Sequence, residues 1–142
     1  MKAEYYKKII YELINLVDEG IYIVDREGKG LFYNHTMADL EKVNVEDVLG
    51  KKFHEAFPDF NLDESTMFKA LKKNESTVRQ QQTYKNLYGK EVTTINSTLP
   101  VIVDGETVAA IEVAKDITDI RKMSDKLMEL NGEGSPARKD GI

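Results

Sequence analysis

Residues 82–118, QTYKNLYGKEVTTINSTLPVIVDGETVAAIEVAKDIT, hold the pattern that decides the fold. Long runs rich in β-branched residues are interrupted at Tyr88-Gly89-Lys90 and at Asp104-Gly105. Asp-Gly is a strong hairpin signal, because both positions tolerate the left-handed backbone that a two-residue turn requires. The pattern predicts three consecutive antiparallel strands at 77–87, 92–101 and 107–115.

Two shorter strands are predicted upstream of these three. The run GIYIVD, residues 20–25, is typical of a short buried strand, and LFYN, residues 31–34, follows it across a turn. Short helices are indicated between this hairpin and residue 77, with Asn34, Asn44 and either Asp63 or Ser65 as candidate caps. The element order therefore predicts an α+β fold with a five-stranded antiparallel sheet and inserted helices.

One helix is predicted before the first strand of the sequence and another after the last strand. Apolar residues between positions 2 and 17 form a wide stripe, and after the last strand a helix is expected from about 117 to 130. The predicted organisation is an amphipathic helix at 1–19, a globular domain at 20–116, a connecting helix at 117–130 and a linker or disordered tail at 131–142.

Composition narrows the class of protein. The 142 residues suffice for one ordinary core, and 25 acidic against 20 basic side chains give a net charge of −5 without basic blocks. This argues against a nucleic-acid surface on this domain. With no cysteine and no apolar run near the roughly 20 residues of a membrane span, we expect a cytoplasmic protein without membrane contact.

Six segments in this order resemble a PAS domain: GIYIVDREGKGLFYN, VLGK, YGK, TLPV, DGE and DIT. The resemblance spans roughly residues 18–120. More narrowly, residues 82–118 are similar to the N-terminal sensor domain of sigma-54-dependent transcriptional activators, especially those that control arginine and other amino-acid catabolism. The resemblance implies the PAS fold and a sensory role.

The two faces of the predicted sheet differ in polarity. Strand periodicity places Ile23, Ile95 and Ile111 on an aliphatic face, which a simple burial rule would turn inward. The PAS resemblance implies the opposite, with the more polar face lying beneath the inserted helices. The ligand-facing residues that it implies are Tyr22, Val24, Gln82, Tyr84, Thr94, Asn96, Thr98 and Glu112, covered by Met67, Phe68 and Leu71.

These side chains suit a small polar ligand. Glu112 could meet an ammonium or guanidinium group while the amides and hydroxyls orient the remainder, so an amino acid such as arginine or ornithine fits. The alternative is a closed core in which these groups pair with one another. The aliphatic outer face must be covered to keep it from water. The resemblance implies that the first helix packs on this face of its own chain or of a partner, commonly in a homodimer, through Tyr6, Ile9, Ile10 and Leu13.

The last strand leads directly into the last helix without Gly or Pro. Asp116 can cap that helix and Thr118 can hydrogen-bond locally, so we expect Asp116, Ile117, Thr118 and Ile120 to transmit a signal. The resemblance implies a downstream AAA+ ATPase and then a DNA-binding domain. The alternatives are the input domain of a sensor histidine kinase and a ligand-free dimerisation module.

Catalytic and cofactor chemistry finds little support in the sequence. His35 and His54 are too far apart for a common metal-binding motif, and no serine has a recognisable His-Asp partnership. The flavin-binding photosensor branch requires a cysteine, which this chain lacks. We therefore expect no enzyme activity, no metal, no flavin and no haem.

Overall fold

In the described residues of this computed structural model, 1–58, 64–86 and 88–132, five strands form one antiparallel sheet. The strands are β1 (Gly20–Asp25), β2 (Gly30–Tyr33), β3 (Thr77–Lys85), β4 (Glu91–Val103) and β5 (Glu106–Asp116). The helices are α1 (Ala3–Ile14), α2 (His35–Glu41), α3 (Phe53–Ala56), α4 (Thr66–Lys73) and α5 (Thr118–Leu130), with a 3-10 turn at Val45–Asp47. The strand order is β2-β1-β5-β4-β3, which confirms the predicted fold class.

The β4–β5 hairpin forms as its turn residues predict. Asp104 and Gly105 both have positive φ angles, 51° and 80°, and the strands pair on either side of them through Val103 and Glu106. Several predicted boundaries were too generous: β3 ends at Lys85 and α1 ends at Ile14. Three parts of the prediction lie outside the described residues: Leu87, the alternative cap Asp63, and residues 133–142, which make up most of the predicted tail.

Of the caps predicted for the inserted helices, two form and one does not. Asn34 accepts a hydrogen bond from the Met37 amide, and Ser65 accepts one from the Phe68 amide, so both side chains begin their helices as predicted. Asn44 occupies the capping position of the 3-10 turn, but its side chain makes no capping bond. Its amide instead donates to the Asp47 carboxylate at 3.5 Å.

The buried amide of Asn34 joins the first four elements of the chain. Its Oδ1 accepts from the backbone amides of Ile21 and Met37, at 2.8 and 3.0 Å. Its Nδ2 donates to the carbonyls of Ile14 and Glu19, at 2.6 and 2.9 Å. The end of α1, the approach to β1 and the start of α2 therefore meet on one fully buried side chain.

The core lies on the polar face of the sheet, not on the aliphatic one. Val24, Thr94, Thr98 and Ala110 are completely buried on this inner face, where α2 packs against β1 and α4 packs against β4 and β5. The burial expected from apolarity alone is wrong, because α2 and α4, which lie between β2 and β3 in the chain, cover the polar face of the sheet. The aliphatic row that contains Leu99 stays partly or largely exposed.

The two terminal helices leave most of their apolar side chains in contact with solvent. Within α1, which is described throughout, Ile14 alone is buried. The predicted interface residues Tyr6, Ile9, Ile10 and Leu13 are all exposed. On α5, Ile120, Met123, Leu127 and Leu130 are exposed as well. Neither helix therefore covers the outer face of its own sheet with these residues.

We predict that replacing Asn34 by Ala destabilises the domain by about 4 kcal/mol, because buried backbone donors and acceptors lose their partners. Urea unfolding followed by circular dichroism measures the change. Asn34→Asp keeps the acceptor for Ile21 and Met37 but turns an oxygen toward two carbonyls, so it should also destabilise.

Asn44→Ala is the matched control for this experiment, because the Asn44 side chain is exposed and makes one long hydrogen bond. Its free energy of unfolding should change by less than about 0.5 kcal/mol. Equal effects of the substitutions at positions 34 and 44 would contradict the role assigned to Asn34.

Candidate functional site

The inner face presents a row of polar side chains across three adjacent strands. Glu112 of β5 is in register with Tyr22 of β1 on one side and with Thr98 of β4 on the other. Among the predicted ligand residues, those that the structure buries are Tyr22, Val24, Met67, Leu71, Thr94, Asn96 and Thr98. Phe68, Gln82, Tyr84 and Glu112 are partly buried. The fold brings all of these residues to one side of the sheet.

Several polar groups of this row pair with one another. The Asn96 amide donates to Gln82 Oε1 at 2.7 Å and to Thr94 Oγ1 at 2.9 Å. The Thr98 hydroxyl lies 2.8 Å from the hydroxyl of Thr66 on α4. These groups can therefore be satisfied without any ligand, as the closed-core alternative requires.

Glu112 and Tyr22 do not follow this pattern. The buried Tyr22 hydroxyl has no hydrogen-bond partner among the described residues, and the partly buried Glu112 carboxylate accepts no hydrogen bond there either. Burial, together with the neighbouring Glu41 charge, raises the pKa of the Glu112 carboxyl to about 7. Burial and the charge of Glu112 raise the pKa of the Tyr22 phenol. Unpaired polar groups of this kind are costly inside a protein and are candidates for contact with a ligand.

Glu41 is a further candidate residue on this face, and it was not predicted from the sequence. It ends α2, and its Oε1 accepts a hydrogen bond from the Tyr84 hydroxyl at 2.9 Å. Burial raises the pKa of the Glu41 carboxyl, and the Tyr84 bond partly opposes that change. A sequence signal existed, because Glu41 follows the apolar Met37 by four positions and so shares its helix face.

Aromatic rings close one side of this interior. The ring centroids of Tyr22 and Tyr33 lie 5.2 Å apart, and Phe57 lies 6.0 Å from Tyr22. The Tyr33 hydroxyl donates to the Met37 carbonyl at 3.4 Å. Partial burial in this interior disfavours the charged forms of Glu41 and Glu112.

The junction between β5 and α5 is tied to the neighbouring strand. The Thr93 amide donates to Thr118 Oγ1 at 2.9 Å, and the Ile117 amide donates to the Thr93 carbonyl at 2.9 Å. The Asp116 carboxylate accepts from the amide and the hydroxyl of Thr118. The expected role of Asp116 needs one correction: Ile117 occupies the capping position, because Asp116 is still paired with Thr94 in the sheet.

A surface groove of about 400 Å³ opens beside this junction. Its lining includes Asp116 and the charged residues Asp18, Asp39, Lys42 and Lys90. It is also lined by Leu40, Val92 and Ala114, which belong to the buried core. Val92 and Ala114 lie on the same face of the sheet as Asn96 and Glu112, so the groove adjoins the inner face at its edge, although neither Asn96 nor Glu112 lines it.

In a comparison against protein families, the PAS fold matches residues 14–122. The order of the strands and the position of the inserted helices agree with that match. The chain belongs to the PAS family. The solved PAS domain of BvgS from Bordetella pertussis has 24% sequence identity and a TM-score of 0.59, covering 88% of this chain and 96% of that one. The structural likeness supports the fold of the PAS domain described here.

Two curated relatives of this PAS domain are regulatory proteins. The transcriptional activator RocR of Bacillus subtilis (strain 168) is 31% identical over 130 residues, which are 92% of this chain and 28% of RocR. A probable C4-dicarboxylate sensor kinase of Halalkalibacterium halodurans is 25% identical over 114 residues, 80% of this chain and 19% of the kinase. The matched chain thus spans less than a third of the length of either relative.

The described residues contain neither a metal-binding cluster nor a membrane-spanning helix. Across residues 1–58, 64–86 and 88–132, no group of three or more His, Cys, Asp or Glu side chains is arranged to hold a metal ion. In the same part of the chain, no helix has both the length and the apolar character needed to span a bilayer.

The raised pKa of Glu112 predicts a dependence of stability on pH. Between its ordinary pKa of 4.5 and about 7 the folded protein holds a proton that the unfolded chain releases, so this stabilisation is lost as pH rises through 7. Glu112→Gln removes the ionisable group. Its free energy of unfolding should exceed that of the unmodified protein by about 3 kcal/mol at pH 8, with little difference near pH 4.5.

Urea titrations at pH 4.5, 6, 7 and 8 measure this difference, and Glu91→Gln is the control because Glu91 is exposed. Glu41 shifts in the same direction, so the pH dependence should shrink in Glu112→Gln without vanishing. A parallel pH profile for Glu112→Gln and the unmodified protein would show that Glu112 is ordinarily ionised.

Proposed function

We propose that this PAS domain is the N-terminal signal-sensing domain of a sigma-54-dependent transcriptional regulator. The main support for the proposal is that β5 connects the inner face of the sheet directly to α5. One strand presents Glu112 to the interior, and four residues later its Asp116 holds the first turn of α5. A change at the inner face therefore has a short and rigid route to the helix that leaves the domain.

The signal in this proposal is a small polar ligand, such as an amino acid, on the inner face. Glu112 supplies the main charged contact, and the pairs made by Asn96 and Thr98 reorganise to orient the rest of the ligand. Val24, Met67, Phe68 and Leu71 form the apolar surroundings. Binding would then favour one position of β5, and the population of α5 orientations would shift with it.

Transmission uses Asp116, Ile117, Thr118 and Ile120. Thr118 is buried and fastens the junction to Thr93 of β4, so strand and helix cannot move independently. Ile120 is exposed on α5 in a stripe with Met123 and Leu127, which suits pairing with a second α5. The absence of Gly or Pro between β5 and α5 keeps the joint stiff.

A homodimer is part of this proposal. Tyr6, Ile9, Ile10 and Leu13 give α1 an exposed apolar stripe, and the aliphatic face of the sheet is incompletely covered. Packing α1 of one protomer on the sheet of its partner would remove both apolar surfaces from water. We place the protein in the cytoplasm, with an AAA+ ATPase and a DNA-binding domain following in the parent regulator.

The similarity to RocR supports this output, since RocR is a transcriptional activator. The input domain of a sensor histidine kinase is the second candidate, favoured by the similarity to the sensor kinase. In either setting we propose a binding role without catalysis, flavin, haem or metal. A ligand-free dimerisation module is the third candidate, favoured by the paired amides and hydroxyls around Asn96.

A thermal-shift panel tests ligand sensing. Amino acids, amines and dicarboxylates are added singly at millimolar concentration, and at least one should raise the melting temperature, because a ligand that binds only the folded state stabilises it. Replacing Glu91 by Gln should leave the shift unchanged. No shift with any compound of the panel would favour the dimerisation module.

The junction is tested with the ligand found in that panel. In the unmodified protein, the ligand should change hydrogen exchange of the α5 amides. In Thr118→Val, which keeps the shape but loses the hydroxyl, binding should stay within about twofold while the change at α5 is lost. Thr118→Ser restores the hydroxyl and should restore the change. An unaltered α5 response in Thr118→Val would remove Thr118 from the pathway.

A further inference from the structure

The two ends of α2 are held to the rest of the domain in different ways. At its start, the buried Asn34 side chain bonds to four backbone groups, and the Thr36 hydroxyl donates to the carbonyl of Val17. At its end, no backbone hydrogen bond among the described residues joins residues 39–44 to a strand. The start of α2 is therefore fixed, whereas its end is held to the sheet by side chains alone.

Two consecutive residues make the polar contacts at that end. Glu41 Oε1 accepts a hydrogen bond from the Tyr84 hydroxyl of β3 at 2.9 Å. The ammonium group of Lys42 lies 5.8 Å from the centre of the Tyr88 ring, which is within the range of a cation–π contact. The buried Asn86 fixes the backbone at Tyr88, since its Oδ1 accepts from the Tyr88 amide at 3.0 Å. The end of α2 is thus tied to β3 and to a tyrosine that follows β3.

The groove of about 400 Å³ lies between the two sides that these contacts join. Leu40 and Lys42 line it at the end of α2, while Asn86 and Val92 line it beside β3 and on β4. Val92 is only 4% exposed. The groove therefore reaches from the surface down to the core.

The bond between Glu41 and Tyr84 lies where the groove meets the inner face. Glu41 follows Leu40 in the chain, and Tyr84 is in register with Val92, so each member of the bonded pair adjoins a residue that lines the groove. The pair itself does not line it. Two positions beyond Val92 on β4, Thr94 is completely buried on the inner face. The bonded pair thus separates the groove from the polar interior.

Binding at the inner face needs an opening. Tyr22, Thr94 and Thr98 are 5%, 0% and 0% exposed, so a solute does not reach them while the domain is closed. The other helix that covers this face, α4, buries Met67 and Leu71 and packs against both β4 and β5. The end of α2 has fewer attachments, which makes it the cover that opens more easily.

We propose that the end of α2 is a gate for small polar molecules, closed by the Glu41–Tyr84 bond and the Lys42–Tyr88 contact. Opening is a rotation about the start of α2, which the bonds of Asn34 keep in place, and it joins the groove to the inner face. Tyr88 is 79% exposed, so water competes with its contact to Lys42. The inference adds an entry route to the proposed sensing function and rests on that function for its purpose.

Thiol labelling measures the opening directly, because the chain has no cysteine of its own. Thr94→Cys places a reporter behind the gate. Ala110→Cys places a second one further along the inner face, four residues from Ala114 of the groove, and both substituted positions are completely buried. The rate of reaction with methyl methanethiosulfonate follows the open population when closing is faster than labelling.

We expect the two contacts to control labelling behind the gate. Tyr84→Phe removes the hydroxyl and should speed the labelling of Thr94→Cys about fivefold. Lys42→Met keeps the apolar stem without the charge and should speed it about threefold. Neither substitution should change the labelling rate of Ala110→Cys, because the sheet and α4 stay in place when the gate opens.

Tyr5→Phe and Lys72→Met are the matched controls, since both residues are exposed and neither lines the groove. They should leave the labelling rate of Thr94→Cys unchanged. A native circular dichroism spectrum is required of each variant. If Thr94→Cys does not fold, Ala114→Cys on the groove floor, where Ala114 is 3% exposed, replaces it and should respond in the same direction.

Two results would overturn the gate. An equal rise at both reporter positions would mean that the substitutions loosen the whole fold, and an unchanged rate behind the gate would mean that these contacts do not close it. The labelling needs no ligand, so either result leaves the sensing proposal standing. An absence of thermal shifts in the compound panel would count against sensing, while the labelling rates would still decide the gate.

Discussion

The rest of the structure depends on the buried side-chain amide of Asn34. It comes from the residue between β2 and α2, yet it bonds to the end of α1, the approach to β1 and the first turn of α2. A buried amide that meets four backbone groups permits one arrangement of those segments, because a shift of any of them leaves a polar group without a partner. α2 is thereby directed over the inner face of the sheet, where Glu41 meets Tyr84.

On the inner face, some polar side chains are hydrogen-bonded to one another and others have no such partner. Asn96, Gln82 and Thr94 satisfy one another, as do Thr98 and Thr66, and these bonds close part of the core. Glu112 and Tyr22 sit in the middle of the same face without such partners. Both groups cost stability, because burial disfavours the charged form of Glu112 and leaves the Tyr22 hydroxyl without a partner. Their presence is the reason for attributing binding to this face.

The outer side of the molecule is apolar, in contrast to the polar inner face of the sheet. Its aliphatic strand residues and the stripes on α1 and α5 are apolar but incompletely covered. β5 joins the two sides, because its residues alternate between the polar interior and the aliphatic exterior and its end is fastened to α5 through Thr118. The same strand can therefore respond to a ligand and carry the effect to surfaces suited to a partner chain.

Local features of the sequence determined the elements and their order. Asp104-Gly105 specifies a tight hairpin through backbone preference, and Asn34 and Ser65 specify helix starts through short-range hydrogen bonds. These signals act over a few residues, so they can be recognised without the rest of the chain. Strand periodicity likewise separated Tyr22 and Glu112 from Ile23 and Ile111, although it assigned neither set to the interior.

Only the tertiary structure decided which face became the interior. Apolarity favoured the aliphatic face, and the resemblance to PAS domains was needed to expect the polar one. The pairing of Glu41 with Tyr84 joins residues 43 positions apart, and its proximity to Glu112 depends on how α2 crosses the sheet. The two-residue repeat of a β-strand determines which residues share a face. The path of the connecting chain determines which of the two faces is covered. That path is set by long-range contacts such as those of Asn34, which no local pattern contains.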